Sequence, residues 1–211
     1  RGHVRVLANV SSIMELLPEE LSAFMLDNPR IQADIEERFS PDVVRGVAEG
    51  NADLGICRRS MAVGDLEFLP YRQDHLAVVV SASHPLADRS SIAFEETLDF
   101  DHLGLSAFAT LNTFMREDAS RHGRELRFRS YVSSFDAAFR LVQFGLGLAV
   151  FPLEAVARYA QLFDLRIIPL TDDWGLGELV ICVRDREALS LSARRLLDHL
   201  LLRAPPRQSA R

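Results

Sequence analysis

Between Ser40 and Ile56 the apolar positions change period. Val43, Val44 and Val47 recur at helical spacing, and Ala52 to Cys57 is then a nearly unbroken apolar run suited to a covered strand. The boundary residues agree with that division. Ser40 is read as an N-cap, Pro41 as the first helical residue, Asp42 as a first-turn acid and Gly50 as the stop. Asp53, the one acid inside the strand run, is predicted to bond locally to backbone. The preceding chain repeats this order. From Val4 to Asn9, Val4, Val6 and Ala8 share one face, with Arg5 and Leu7 on the other. After Ser11 and Ser12 comes an amphipathic helix carrying Ile13, Leu16, Leu17, Leu21, Phe24 and Met25. It starts or kinks at Pro18 and stops at Asn28 and Pro29. Ile31 to Arg38 is a second strand. Two strand-to-helix junctions, each with a Ser at its mouth, are thus predicted on the carboxyl edge of one parallel sheet. Open α/β sheets bind ligands at that edge, where helix N–H groups attract anions or carbonyls.

Beyond Ile56 the pattern continues as a second lobe. Leu66–Arg72 and Leu76–Ala82 read as strands separated by the polar Gln73-Asp74-His75. Leu103–Ser106 is a short strand, Thr110–His122 a helix ended by Gly123, and Leu126–Ser133 an alternating strand. Ser134 caps a helix with Phe135, Ala138, Phe139, Leu141, Val142 and Phe144, ended by Gly145. Leu146–Phe151 is an apolar strand, and Pro152 starts a helix through Tyr159. Leu165–Leu170 and Leu179–Val183 are strands, Leu189–Leu202 is the last helix, and Ala204–Arg211 reads as a frayed tail.

Composition removes several classes of chemistry. All 24 basic residues are Arg, so no Lys Schiff base, P-loop Lys or kinase-type Lys exists. The six His residues lack HExxH spacing, and two separate Cys make no zinc constellation. Gly104-Leu-Ser106-Ala-Phe108 fails as a nucleophile elbow at its last position, and Gly145-Leu-Gly147 lacks the third Gly of a dinucleotide fingerprint. Neither a metal nor a cofactor is expected. A net charge of −6 opposes wrapping nucleic acid, and no apolar run is long enough for a membrane span. Cys57 and Cys182 lie in strand-like apolar runs and read as buried reduced thiols, which points to the cytoplasm. Because Arg1 is not an initiator Met, the chain is read as a piece of a longer protein.

Six stretches taken together resemble the effector-binding domain of LysR-type transcriptional regulators. They are VRVLANVSS at 4–12, ERFSPDVVRGVAEGNADLGI at 37–56, GDLEFLPYRQDHLAVVVSASHPLA at 64–87, ETLDFDHLGLS at 96–106, VSSFDAAFRLVQFGLGLAVFP at 132–152 and ELVICVRD at 178–185. The resemblance implies an α/β, periplasmic-binding-protein-like (type 2) fold of two Rossmann-like lobes. Lobe I would hold residues 1–74 and 177–211, and lobe II residues 75–176. The crossings would fall near Gln73–Leu76 and Asp172–Leu179. The family's N-terminal winged helix-turn-helix and linker helix are not in this sequence, so DNA would be bound only through that missing part.

The resemblance also implies a small-molecule effector between the lobes. By position, the first lobe offers Ser11, Ser12, Ser40, Arg58 and Arg59. The second offers Ser106, Phe108, Thr110, Ser133, Ser134, Phe135 and Pro152. Ser12 and Ser134 also read as plain N-caps, Arg58 and Arg59 as solvated loop charges, Phe108 as core and Asp136 as a first-turn helix charge. Such a cleft suits a small polar or aromatic molecule, a carboxylate or aromatic acid among them. A homodimer is expected, with a tetramer open for the full-length protein. Its outward-facing candidates are Leu21, Phe24 and Met25 on one helix and Phe135, Phe139 and Val142 on another. Two alternatives stand: a transport-type solute-binding protein of the same fold, and an enzyme on a related two-lobe fold, for which no catalytic constellation is found.

Overall fold

The computed structural model describes residues 2–203; the expected frayed tail from Ala204 lies outside them. In chain order the elements are β1 (Gly2–Ala8), α1 (Val10–Met14), α2 (Leu17–Asp27), β2 (Ile31–Glu37), α3 (Ser40–Ala48), β3 (Leu54–Arg58) and β4 (Glu67–Ser81). Then come β5 (His102–Leu105), α4 (Ala109–Arg121), β6 (Phe128–Val132), α5 (Phe135–Gln143), β7 (Ala149–Pro152) and α6 (Leu153–Ala157), followed by β8 (Leu165–Pro169), β9 (Leu176–Val183) and α7 (Leu191–Arg203). The chain divides into two compact units. The first comprises residues up to Gln73 and those from Gly177 onward; the second is Asp74–Leu176.

In the first unit β1 lies between β2 and β3, parallel to both, and β9 pairs antiparallel with β3. The alternation along β1 feeds two apolar layers. Val4, Val6 and Ala8 join Leu17, Leu21 and Phe24 of α2 and Leu196, Leu197 and Leu200 of α7. Leu7 points the other way, to Val43, Val44 and Val47 of α3. Both sheet faces are therefore covered, which is why β3 and β9 read as continuous apolar runs. Each fully buried aliphatic or Phe side chain here contributes about 1.5–3 kcal/mol. In the second unit β4 pairs antiparallel with β7 on one side and β8 on the other, and β5 pairs parallel with β6. A parallel bridge from His102 to Leu148 joins the two sets. Val78, Val80, Phe94, Met115, Leu148 and Ile168 centre that core.

Cys57 and Cys182 are buried free thiols, hydrogen-bonded to each other. Gly55 stands opposite Cys182, and a Cβ on Gly55 would come 2.6 Å from the Cys182 Sγ. A glycine is needed there for the two strands to enclose the thiol pair. Donation to Cys57, with burial adding, pushes the Cys182 thiol well up.

Four expectations about the elements need correction. The first long helix is two helices, because Asn9 caps α1 and Pro18, in the first turn of α2, lacks the N–H that a continuous helix would use there. The polar Gln73-Asp74-His75 does not break a strand. β4 runs through it, since Gln73 is exposed and Asp74 buried in ordinary strand alternation. Pro152 ends β7 and caps α6, which stops at Ala157 and not at Tyr159. Asp53 does bond to backbone, but across the sheet: its carboxylate accepts from the Arg5 N–H at 2.8 Å.

Candidate functional site

Because β1, β2 and β3 are parallel, their carboxyl ends share one edge of the first unit. Asn9, Ser11 and Ser12 leave β1 there, Ser40 follows β2, and Arg58 and Arg59 follow β3. The cap of α1 is Asn9 and not Ser12. The Asn9 Oδ1 accepts from the Ser12 N–H at 3.1 Å, and the Ser12 hydroxyl lies 2.8 Å from that Oδ1 and 2.9 Å from the Asn9 carbonyl oxygen. Asn9, Ser11, Ser12 and Glu15 are all buried. Ser40 is likewise not a cap. Phe39 takes the extended N-cap conformation and Ser40 is the first helical residue. Its hydroxyl accepts from the Arg58 N–H at 3.4 Å, tying the mouth of α3 to the end of β3.

Arg58 pairs in register with Leu179, so β9 begins at this same edge. The Arg59 Nε is 2.5 Å from the Glu178 carboxylate. The Arg58 guanidinium lies over Gly177, where a Cβ would stand 2.6 Å from its Nη2. Arg58 is half-buried and Arg59 exposed. The edge is thus cationic at two residues, with Glu178 as internal counter-charge.

In the second unit the ends of β5, β6 and β7 carry Ser106, then Ser133 with Ser134, then Pro152. Ser134 is the expected cap, its hydroxyl accepting from the Ala137 N–H at 3.3 Å. Asp136 occupies the first turn of α5 as expected. The Ser106 hydroxyl donates to the Val132 carbonyl at 3.4 Å, linking the two loops. Phe108, Phe135 and Phe151 converge with centroid separations of 6.0 Å for each pair. Phe151 is wholly buried, whereas Phe108 and Phe135 are half-buried. Phe108 is therefore partly core and partly surface. Thr110 is exposed on the first turn of α4, and Pro152 is buried. Among the described residues no group of three or more His, Cys, Asp or Glu is placed to hold a metal ion.

Asn9, Asn112 and Glu178 join these edges beyond the residues that the sequence singles out. Asn9, between a strand and a helix, carried a cap signal. Asn112, whose amide donates to the Leu105 carbonyl at 3.1 Å, carried none. The residues expected to face a partner copy are largely interior. Leu21, Phe24, Phe139 and Val142 are buried, and helices so small have one apolar face, which their own sheet takes. Met25 and Phe135 keep partial exposure. Leu26 on α2 and Phe144 just past α5 are large apolar residues left strongly exposed.

The family model for the LysR substrate-binding domain matches residues 1–204. A probable RuBisCO transcriptional regulator of Synechocystis is 26% identical over 175 residues, which is 80% of this chain and 51% of that protein. The chain spans about half the length of the curated relatives it matches first. The regulatory domain of Synechocystis CcmR in complex with 2-PG superposes with a TM-score of 0.82 at 19% identity, covering 98% of this chain and 99% of that one. The BenM effector-binding domain with benzoate gives 0.78 at 23% identity, covering 95% and 90%. Those relatives are transcriptional regulators, and those folds are effector-binding domains of the periplasmic-binding-protein-like kind. This chain belongs to the LysR family, of which it is the substrate-binding domain.

Proposed function

We propose that this chain is the sensing part of a LysR-type transcriptional regulator, binding a small effector at the carboxyl edges of its parallel strands and so controlling DNA binding by the full-length protein. The observation that carries this reading is the furnishing of those edges. One holds Arg58 and Arg59, and the other holds Ser106, Ser133 and Ser134 beside the half-buried Phe108 and Phe135. Polar groups at the carboxyl ends of parallel strands are where open α/β sheets bind small molecules. The effector is bound and released unchanged, in line with the regulators among its relatives. The winged helix-turn-helix of the longer protein contacts DNA, and the present acidic piece does not. The buried thiols support a reducing compartment, the cytoplasm. Among the described residues no helix is long and apolar enough to cross a membrane.

A metabolite screen by thermal shift tests the reading. A ligand that binds only the folded chain raises the melting temperature by mass action, by about 2.7 kcal/mol of stability at a hundredfold excess over Kd. Recovery of the bound compound chemically intact is expected, and turnover would refute the sensing role. A screen without any hit would sink binding itself.

We also propose a homodimer in which α2 of one chain packs beside α5 of the other. Two edge strands support it. β2 carries exposed Asp34, Glu36 and Glu37, and β6 is flanked by exposed Arg127 with Arg129 in the strand. Opposite charges on two open edges favour mutual pairing over pairing like with like. An isologous dimer uses both contacts twice. Leu26, 82% exposed, is the natural apolar anchor. Leu26→Asp should weaken the dimer at least about tenfold without loss of folding. Light scattering over micromolar concentrations measures this, and a monomer throughout for the unmodified chain contradicts the proposal.

A further inference from the structure

We propose that the two thiols of the first unit, Cys57 on β3 and Cys182 on β9, form a bridging site for a soft divalent metal ion that takes two sulfur ligands in line, with Hg(II) as the type of ion. The site lies inside one unit, apart from the carboxyl edges, and does not rest on the effector-binding reading.

The strand register places the pair. Cys57 stands opposite Val180 and Cys182 opposite Gly55, so the cysteines are diagonal neighbours across an antiparallel ladder. Positions two apart on a strand share a face, and both thiols lie in the apolar layer of Val43, Val44 and Val47 of α3. Both cysteines are 0% exposed and hydrogen-bonded to each other. A Cβ on Gly55 would stand 2.6 Å from the Cys182 Sγ, 2.7 Å from the Val43 Cγ1 and 2.8 Å from the Val47 Cγ2. The side chain that Gly55 lacks is therefore the room that the second thiol uses.

Magnitudes decide what such a pair can hold. A disulfide draws its sulfurs to about 2 Å and needs its Cα atoms within about 7 Å. Diagonal positions across a ladder stand about 7–8 Å apart, so oxidation would have to drag β3 against β9. An ion held in line by two sulfurs, with bonds of about 2.3 Å each, separates them by about 4.6 Å. That is only slightly wider than the contact of two hydrogen-bonded thiols, and the backbone need not move. Zinc is served badly, because it asks for three or four protein ligands. Among the described residues no group of three or more His, Cys, Asp or Glu is placed to hold a metal ion. Thiolates select soft ions. Charge then chooses among these. Two thiolates and a divalent ion are neutral together, whereas a monovalent ion would leave a net negative charge in an apolar layer, at high cost. Binding replaces two S–H bonds by two metal–sulfur bonds, releases two protons and changes no oxidation state. The ion enters when α3, a helix of nine residues, lifts by local opening, so uptake is slow.

The test incubates the reduced chain with one equivalent of Hg(II) in an excess of glutathione, and reads the intact mass under native conditions and the melting temperature. One ion per chain should be retained, with two protons lost, and the melting temperature should rise because the ion binds the folded state. Zn(II) under the same competition should not be retained. Cys57→Ala and Cys182→Ala, which suit the apolar layer and are checked for folding by urea unfolding, should each weaken retention at least about a hundredfold, since the second sulfur is no longer held close by. Three results would overturn the site: glutathione strips the ion from the unmodified chain, either Ala variant keeps it as well, or the ion lowers the melting temperature. A mass showing one sulfur and one glutathione on the ion would mean adventitious capture and refute the bridge. Closure of a disulfide by hydrogen peroxide in the still-folded chain would refute the spacing on which the choice of an ion rests.

Discussion

Replacing Glu20 by alanine should lower the unfolding free energy by about 3–5 kcal/mol, the cost of breaking a buried ion pair from one side. Glu20 lies on α2 with its side chain only 6% exposed, and its carboxylate pairs with Arg72, itself 13% exposed. The Tyr71 hydroxyl donates to the same carboxylate. Burial first, and this bond second, push the Tyr71 hydroxyl far above its usual range, so it remains a donor at any physiological pH. The Glu20 carbonyl also accepts from the His199 Nε2 at 3.0 Å, so the same turn of α2 is tied to α7. Removing the carboxylate strands a guanidinium and a phenol where water reaches neither well. Replacing all three side chains by apolar ones of similar size should recover most of the loss, because the desolvation cost of the charges goes with them. Urea unfolding of the single and triple variants at neutral pH decides the matter. A loss below about 1 kcal/mol for Glu20→Ala would mean that the cluster is solvated in practice. Tyr71 and Arg72 lie on β4 next to Gln73, where the first stretch of the first unit ends.

That cluster also marks where reading the sequence stops working. Periodicity finds elements because each strand or helix needs one apolar face, and it located nearly every element here to within a few residues. It found the Ser134 cap because Ser before an apolar helical run has few other readings. It misplaced the caps at Ser12 and Ser40 by ignoring the residues before them. Phe39 takes the cap position through its backbone conformation alone, with φ −63° and ψ 147° and no side-chain bond, which no residue preference announces. The polar triplet Gln73-Asp74-His75 has the composition of a turn, although Asp74 faces inward and β4 runs through it. Helix faces were the weakest point. Counting apolar residues on α2 and α5 suggested an excess for a partner, but a count does not say which side of the helix each residue occupies. Links such as Glu20 to Tyr71 and Arg72, 51 and 52 residues apart, leave no local trace. The candidate site was legible at the level of loops, since parallel strands fix which junctions share an edge. The roles of individual hydroxyls were not legible, because Ser11 and Ser12 turn inward and Ser133 and Ser134 do not.

The second unit should lose stability as pH falls from 6.5 toward 4, through His102. This ring is 1% exposed, packed near Phe94 and Phe128, and burial pushes its pKa down to about 4 from 6.5. The Nδ1 lies 3.0 Å from the Phe100 carbonyl, which only accepts, so Nδ1 carries the proton of the neutral form and Nε2 faces the Thr97 hydroxyl, also at 3.0 Å. The bond to Phe100 and the nearby Asp101 favour the imidazolium, Arg127 opposes it, and desolvation outweighs them all. The folded chain therefore holds His102 neutral while the unfolded chain, at the ordinary value, takes up a proton. Between those two values the unfolded state binds more protons, so stability rises with pH and is lost on acidification. The loss begins near pH 6.5, amounts to about 2 kcal/mol by pH 5, and is complete at about 3 kcal/mol below pH 4. Denaturant titrations at pH 7 and pH 5 measure it, with His102→Gln as the control that cannot titrate. The variant starts lower at pH 7, because the amide fills the ring's place poorly, but its stability should change less between the two pH values by about 2 kcal/mol. Equal pH dependence in the two proteins would show that the buried imidazole is not what acid attacks.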